Sequence, residues 1–169
     1  MTFCSLFVAI IAVFSQISIP MPSMVPLTLQ TFIIALTGYY LGLKSGLISL
    51  AVYVALGAVG VPVFSNFKGG FSVLIGPTGG FIWGFFVIVI FCSFPIESRI
   101  LKIIFGMISI LICHLLGILQ YMLYAGKTFV AAFILVSLPY LLKDFASIIL
   151  AYIVSITVLK RVKPYREKK

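Results

Sequence analysis

The sequence concentrates its potential ligand-binding groups in one glycine-rich stretch, residues 65–80, between two membrane-length hydrophobic runs. This stretch holds five of the chain's 14 glycines and one lysine, Lys68, which is followed by Gly69 and Gly70. Clustered glycine indicates tight turns or a backbone that closely approaches a bound group. An ammonium beside bare backbone at a membrane surface suits a small anion. The alternative is a flexible connector with a solvated lysine, although a plain connector between helices needs only a few residues.

Thr78 and Gln30 are two neutral candidates for the same site. Thr78 belongs to Gly76-Pro-Thr-Gly-Gly80, which leads directly into a hydrophobic run. It is a natural helix cap, and the free N–H groups of a helix start attract an anion or a ligand carbonyl. The alternative is a tight turn and a cap without a ligand. Gln30 lies near the start of another run, where it could bond either a ligand or a facing helix.

Asp144 is the acid best placed to face a pocket. Glu97 is expected in a loop on the other side of the membrane from the glycine-rich stretch, and Glu167 lies in the C-terminal tail. An ionisable group near hydrocarbon is costly and is by default a functional candidate. Here it would accept hydrogen bonds from the N–H groups of a buried ligand. Two structural alternatives stay open, a helix N-cap and an ion pair with Lys127 or Lys143.

Residues typical of enzymes are few. The chain has no Gly-x-x-x-x-Gly-Lys-[Ser/Thr] phosphate loop, so it is not expected to hydrolyse ATP itself, and no His-Glu-x-x-His. The one histidine, His114, lies mid-span and is predicted to bond a neighbouring helix. Cys4, Cys92 and Cys113 lie in apolar stretches without metal-ligand spacing, as small buried hydrophobes do. We predict binding or transport and not an enzyme, with no metal and no cofactor.

The composition is that of an integral membrane protein. Hydrophobic residues make up 63% of the chain, its mean hydropathy is +1.29, and 9% of its residues are charged, against roughly 25% in soluble domains. Six of the 12 Lys and Arg residues fall in the last ten positions. A basic tail after a hydrophobic span predicts contact with anionic membrane lipids and not with nucleic acid. The first run lacks a basic leader and a cleavage site, so we expect a retained helix.

Hydrophobic run lengths predict an all-α fold, an integral membrane six-helix bundle with structured outer loops. A span needs about 20 apolar residues. The predicted spans are 3–19, 28–43, 45–64, 81–96, 103–125 and 148–159 with the residues just before it. Residues 128–142, interrupted by Pro139, are predicted to be interfacial or re-entrant. Residues 1–160 would form the substrate-binding domain and 161–169 a basic cytoplasmic tail.

The distribution of Lys and Arg predicts the orientation in the cell membrane. With both termini in the cytoplasm, the inner side carries Lys44, Arg99, Lys102 and the six basic tail residues. The outer side carries Lys68, Lys127 and Lys143. The excess of nine basic residues over three predicts that the glycine-rich loop, and the binding site with it, lies outside the cell.

Small residues recur in the first span at Ser5, Ala9 and Ala12. In lipid, small side chains at this spacing let helices approach closely. This face could pack inside the domain or dock a separate membrane protein.

Six short motifs in this order resemble the BioY family, the biotin-binding S components of energy-coupling-factor vitamin transporters. The resemblance covers nearly the whole chain. It rests on Ser15-Gln-Ile-Ser-Ile-Pro-Met-Pro22, Val25-Pro-Leu-Thr-Leu-Gln-Thr31, Gly57-x-x-Gly-x-Pro-Val-Phe64, Lys68-Gly-Gly70, Gly76-Pro-Thr-Gly-Gly80 and Leu138-Pro-Tyr-x-x-x-Asp144.

The resemblance implies a membrane domain that holds biotin at its outer face and docks on an energy-coupling transmembrane protein driven by two ATP-binding-cassette ATPases. It implies that Lys68 pairs with the biotin carboxylate, that Asp144 accepts a ureido N–H, and that Ser5-x-x-x-Ala9 is the docking motif.

The chain departs from the family pattern at several positions. The family often has arginine where this chain has Lys68, and lysine lacks the two-pronged grip of arginine on a carboxylate. The family's last helix typically reads Asp-x-x-Lys, where this chain has Ser147. Lys143 is expected to point elsewhere on that helix. His114 and Gln120 lie where relatives often carry aromatic residues.

Three other functions compete with a biotin-binding subunit. An S component for another vitamin would share the fold, since function is determined by the site. A small autonomous channel or exporter acting by oligomerisation would show polar residues along a span, whereas polarity here clusters at the outer ends. A membrane assembly subunit would bind no small molecule.

Overall fold

The computed structural model describes the backbone of residues 2–166 and the side chains of residues 3–159. In this part the chain is mainly helical, which confirms the predicted all-α fold. Its elements are α1 (Thr2–Gln16), β1 (Ser18–Ile19), β2 (Leu27–Thr28), α2 (Gln30–Ala58), α3 (Ser72–Ile75), α4 (Gly79–Cys92), α5 (Arg99–Ala125), α6 (Phe129–Val136) and α7 (Leu138–Arg166). The two short strands pair antiparallel, and a 3-10 turn, Ser65–Phe67, precedes α3.

The long α2 is a hairpin of two antiparallel segments that reverse at Gly42. Gly42 has φ 74° and ψ −177°, which interrupts the helical geometry. The side-chain amide of Gln30 donates a 2.9 Å hydrogen bond to the hydroxyl of Tyr53. A straight helix would separate these two residues by about 34 Å. Residues 30–41 and 43–58 therefore correspond to the second and third predicted spans.

Membrane-length apolar helices account for most of the structure. Among the described residues, three helices reach membrane-spanning length and hydropathy: α5, residues Leu138–Leu159 of α7, and α2 when its two segments are counted together. Residues Phe3–Gln16 of α1 and the whole of α4 are shorter apolar helices. Because α2 folds back on itself, these elements supply six apolar segments. All six differ from the predicted bounds by a few residues at one end or both. The largest differences are in the second segment of α2, which ends at Ala58 instead of at residue 64, and in α7, which begins at Leu138.

Residues 128–142 were predicted to form one interfacial or re-entrant segment, and the structure differs from that prediction. They divide into α6 and the first turn of α7. Pro139 does not end a helix, because it lies in the first turn of α7, where the amide hydrogen that proline lacks has no intrahelical partner. Asp144 consequently lies well inside α7, and the N-cap interpretation of this residue is wrong.

Glycines bring α4 and α5 into close contact. A Cβ added to Gly80 would lie 2.3 Å from the carbonyl oxygen of Leu116, and one added to Gly84 would lie 2.5 Å from Cys113 Sγ. Such small residues let helix backbones approach in a membrane protein. The contact places the ring of His114 on α5 edge-to-face against Phe81 on α4, with 5.6 Å between the ring centroids.

The loop between α2 and α3 is attached to the end of α1. Gln16 Nε2 donates to the carbonyl oxygen of Phe64 at 3.1 Å, and Gln16 Oε1 accepts from the amide of Phe67 at 2.9 Å. This attachment holds Phe64, which is 1% exposed, against the bundle.

The backbone of α7 is helical to Arg166. The side chains of the predicted basic tail, residues 161–169, lie outside the described part of the chain.

Candidate functional site

A cavity of about 50 Å³ lies among α2, α4, α5 and the start of α7. Its apolar walls come from Val25, Pro26, Phe64, Val73, Phe81, Ile82 and Phe85. Its polar lining comes from Thr28, Gln30, Thr31, Ser65, Thr78, His114, Tyr140, Lys143 and Asp144. Apolar walls with a few convergent polar groups are typical of a small-molecule site.

The cavity's charged groups form one cluster around Asp144, which is 5% exposed. Asp144 Oδ2 lies 3.0 Å from His114 Nε2, and Asp144 Oδ1 contacts the ammonium of Lys143. Lys143 Nζ also donates to the carbonyl oxygen of Thr28 at 2.7 Å. The proposed ion pair of Asp144 with Lys143 is therefore present.

The second carboxylate oxygen of Asp144, Oδ1, is paired with the Lys143 ammonium. Apart from that ammonium, Oδ1 has no partner among the described residues. A carboxylate oxygen has two lone pairs and can accept from a second donor. Since Asp144 lines the cavity, an N–H group of a bound molecule would be such a donor.

His114 links Asp144 to the junction of α6 and α7. His114 Nδ1 lies 2.9 Å from Ser137 Oγ, so the prediction that His114 bonds neighbouring helices is confirmed. The order serine–histidine–aspartate also occurs in hydrolases. Ser137, however, is 1% exposed and is not part of the cavity lining, so its hydroxyl is not presented to a bound molecule. No three His, Cys, Asp or Glu side chains among the described residues are grouped to hold a metal.

Gln30 lines the cavity and also bonds facing helices. Its Nε2 donates to Ser15 Oγ at 2.8 Å and to the Tyr53 hydroxyl at 2.9 Å. Its Oε1 accepts from Thr28 Oγ1 at 3.3 Å. The amide thus joins α1 to both segments of α2 and fixes this wall of the cavity.

Lys68 lies outside the cavity, in an open cleft of about 500 Å³ that Tyr124 also lines. Val73 and Thr78 line both spaces, so they separate the cleft from the cavity. Thr78 directly precedes α4, but its hydroxyl makes no capping hydrogen bond, so the expectation of a side-chain cap is wrong.

Gly69 and Gly70 line neither the cleft nor the cavity. A Cβ on Gly69 would lie 2.6 Å from the carbonyl oxygen of Val61. Gly70 has φ 101°, and its amide donates to the carbonyl oxygen of Gly57 at 2.7 Å. The geometry shows that both glycines let the loop pack closely on the end of α2.

The small residues of α1 do not share one environment. Ser5 and Ala9 are exposed, whereas Ala12 is half-buried and packs against the core. The opposite face of the helix buries Phe7 and Ile11. A surface centred on Ser5 and Ala9 is therefore open to contact.

Tyr140 and Lys143 were missed as site residues. They precede Asp144 by four residues and by one, and residues at i, i+3 and i+4 share one helix face. This spacing was readable once a helix start at Leu138 was known. The expectation that Lys143 points elsewhere on the helix is wrong, because its long flexible side chain brings Nζ back to Asp144.

The ion pair should be visible in thermal stability. We expect Lys143→Met and Asp144→Asn each to lower Tm in detergent, because either change leaves a buried charge without its partner. The double variant should melt no lower than the worse single variant, with a coupling of roughly 1–3 kcal/mol. Strictly additive losses would show that the two charges do not interact.

Comparisons with known proteins agree with this arrangement. A sequence model of the BioY family matches residues 1–164. A "Probable biotin transporter BioY" of Pyrococcus horikoshii is 36% identical over 158 residues, 89% of this chain and 90% of that one. The biotin transporter BioY of Thermotoga maritima is 55% identical over 80 residues, 47% of each chain, so this match spans about half of that relative.

One solved structure has the same fold. It is described as the S-component for biotin from an ECF-type ABC transporter, and it superposes with a TM-score of 0.83 at 23% identity, covering 94% of this chain and 89% of that one. The family model matches almost the whole length of this chain, so the chain belongs to the BioY family.

Proposed function

We propose that this chain is a biotin-binding S component that mediates biotin uptake. The observation that carries the proposal is the buried Asp144 carboxylate, which lines the cavity and is paired through Oδ1 with the Lys143 ammonium, itself on a residue of the cavity lining. A ureido ring offers N–H donors and a carbonyl acceptor. Asp144 would accept from the N–H groups and Lys143 would donate to the carbonyl, both in surroundings of low dielectric.

The apolar walls suit the remainder of biotin. Phe81, Ile82 and Phe85 on α4 line the cavity, and they would contact the fused sulfur ring and the methylene chain. The loop residues Phe64 and Ser65 form the wall next to the surface.

Asp144→Asn should weaken biotin binding about tenfold or more, because a charged acceptor is lost and a donor can then face the ureido N–H. The measurement is equilibrium binding of radiolabelled biotin to purified protein, with riboflavin and thiamine as competitors. Glu97→Gln is the matched control, since Glu97 is exposed and lies in the loop after α4. Unchanged affinity in Asp144→Asn would remove Asp144 from the site, and competition by either other vitamin would change the assigned ligand.

Lys68 would pair with the biotin carboxylate across the wall that Val73 and Thr78 form between cavity and cleft. Thr78 is a further proposed contact, whereas Gly69 and Gly70 would act by shaping the loop that presents Lys68. The support is the shared wall and the exposed position of Lys68 in the cleft.

Lys68→Ala should weaken binding roughly ten- to hundredfold, as expected for a hydrogen bond to a charged group. Biotin methyl ester should lose affinity for the wild type and lose much less for the variant. Lys127→Ala, which removes another exposed lysine, is the control. An equal loss for the ester with both proteins would reject the pairing.

We further propose that the exposed surface of α1 around Ser5 and Ala9 docks the energy-coupling transmembrane protein, which two ATP-binding-cassette ATPases drive. Ala12 would support this surface from the core side. Ala9→Trp should abolish ATP-driven uptake in reconstituted vesicles and leave biotin binding intact, because a bulky side chain prevents close helix approach. Leu123→Trp, at an 88% exposed position of α5, is the control. Loss of binding together with uptake would assign Ala9 to packing within the domain.

The proposed orientation places both termini in the cytoplasm and the cavity towards the outside. Residues 1–160 would then form the binding domain, and the basic residues of 161–169 would face anionic lipids of the inner leaflet. The excess of Lys and Arg on the inner side supports this orientation. An impermeant amine reagent should modify Lys68 and Lys127 in intact cells. Modification from the cytoplasmic side alone would reverse the orientation.

A further inference from the structure

We infer that Ser137 and His114 position the carboxylate of Asp144, so that Oδ2 is held by the ring and Oδ1 stays beside the Lys143 ammonium at the ligand cavity. The inference rests on the proposed binding of biotin at Asp144. His114 Nε2 lies 3.0 Å from Asp144 Oδ2, and His114 Nδ1 lies 2.9 Å from Ser137 Oγ. All three residues are at most 5% exposed.

With an ionised Asp144 and a neutral ring, the inferred positioning assigns the proton of His114 to one nitrogen. An ionised carboxylate can only accept hydrogen bonds, so His114 Nε2 must be the donor to Asp144 Oδ2. In a neutral ring Nδ1 is then an acceptor, and the hydroxyl of Ser137 donates to it. The donors run in one direction, from Ser137 through His114 to Asp144.

Ser137 and His114, the first two members of this series, are each attached to a helix. The carbonyl oxygen of Ser137 accepts from the amides of Tyr140 and Leu141 at 2.9 and 3.1 Å. His114 lies within α5 and packs edge-to-face against Phe81. The hydroxyl therefore fixes the rotation of the ring, and the ring fixes the rotation of the carboxylate.

Lys143 makes this positioning necessary. Its ammonium is held by the carbonyl oxygen of Thr28 and contacts Asp144 Oδ1. Without the donor on Oδ2, the carboxylate would be free to rotate against the ammonium, and the Lys143–Asp144 pair would lose its fixed orientation at the cavity. His114 thus acts on the ligand through Asp144 and is a positioning residue.

The proton on His114 can be observed directly, because the chain has one histidine. Protein purified without a polyhistidine tag and labelled with 15N-histidine gives signals from this ring alone. We expect a proton on Nε2 both without ligand and with biotin bound. A ring that carries its proton on Nδ1 and none on Nε2 would overturn the inference, whatever the biotin affinity.

Variants separate positioning from a purely structural role. Ser137 neither lines the cavity nor bonds Asp144. Ser137→Ala should nevertheless weaken biotin binding about three- to tenfold, as the loss of one hydrogen bond predicts. It should also shift the Nδ1 signal of His114. Ser155→Ala is the matched control, since Ser155 is also 1% exposed and its hydroxyl bonds the Tyr152 carbonyl oxygen at 2.7 Å. Ser137→Thr, which restores a hydroxyl, should recover the Nδ1 signal and the affinity.

His114→Phe keeps an aromatic ring against Phe81 but removes both nitrogens, and it should weaken binding about tenfold or more. Wild-type affinity in Ser137→Ala and in a folded His114→Phe would overturn the positioning role while leaving the proposed function intact. If the wild-type protein binds no biotin, the proposed function is overturned. The role of Ser137 and His114 in biotin binding is then overturned as well.

Discussion

The ion pair between Lys143 and Asp144 is the interaction around which the cavity end of the bundle is organised. Two charges in a membrane domain are costly unless further hydrogen bonds compensate for lost hydration. Each partner has such a bond, Lys143 to the carbonyl oxygen of Thr28 and Asp144 to His114. Since these residues belong to β2, α5 and α7, compensation of the charges requires the three elements to meet at one place.

Close packing of α4 on α5 brings the histidine to that place. Gly80 and Gly84 allow the two helices to approach until Phe81 supports the ring of His114. Phe81, together with Ile82 and Phe85, also lines the cavity with apolar side chains. A contact needed for helix packing therefore also determines how the polar and apolar sides of the cavity face each other.

The sequence predicted the spans well, because run length and hydrophobicity report directly on helices in lipid. It also located Asp144 and Gln30, both of which line the cavity. It misplaced the start of α7, since Pro139 reads equally well as the end of one helix or the first turn of the next. The role of Ser137 could not be predicted, because it depends on a contact with His114, 23 positions away, between elements whose packing the sequence does not specify. Lys143 was misjudged because a long side chain can reach around the helix it belongs to.

The attachment of Gln16 ties the loop between α2 and α3 to the end of α1. Its side chain bonds the backbone of Phe64 and Phe67, and Phe64 is part of the cavity wall. Helix α1 and this wall are consequently coupled through Gln16. The exposed surface around Ser5 lies about 16 Å along the helix axis from Gln16. A tilt of α1 cannot leave the wall in place unless the bonds of Gln16 break.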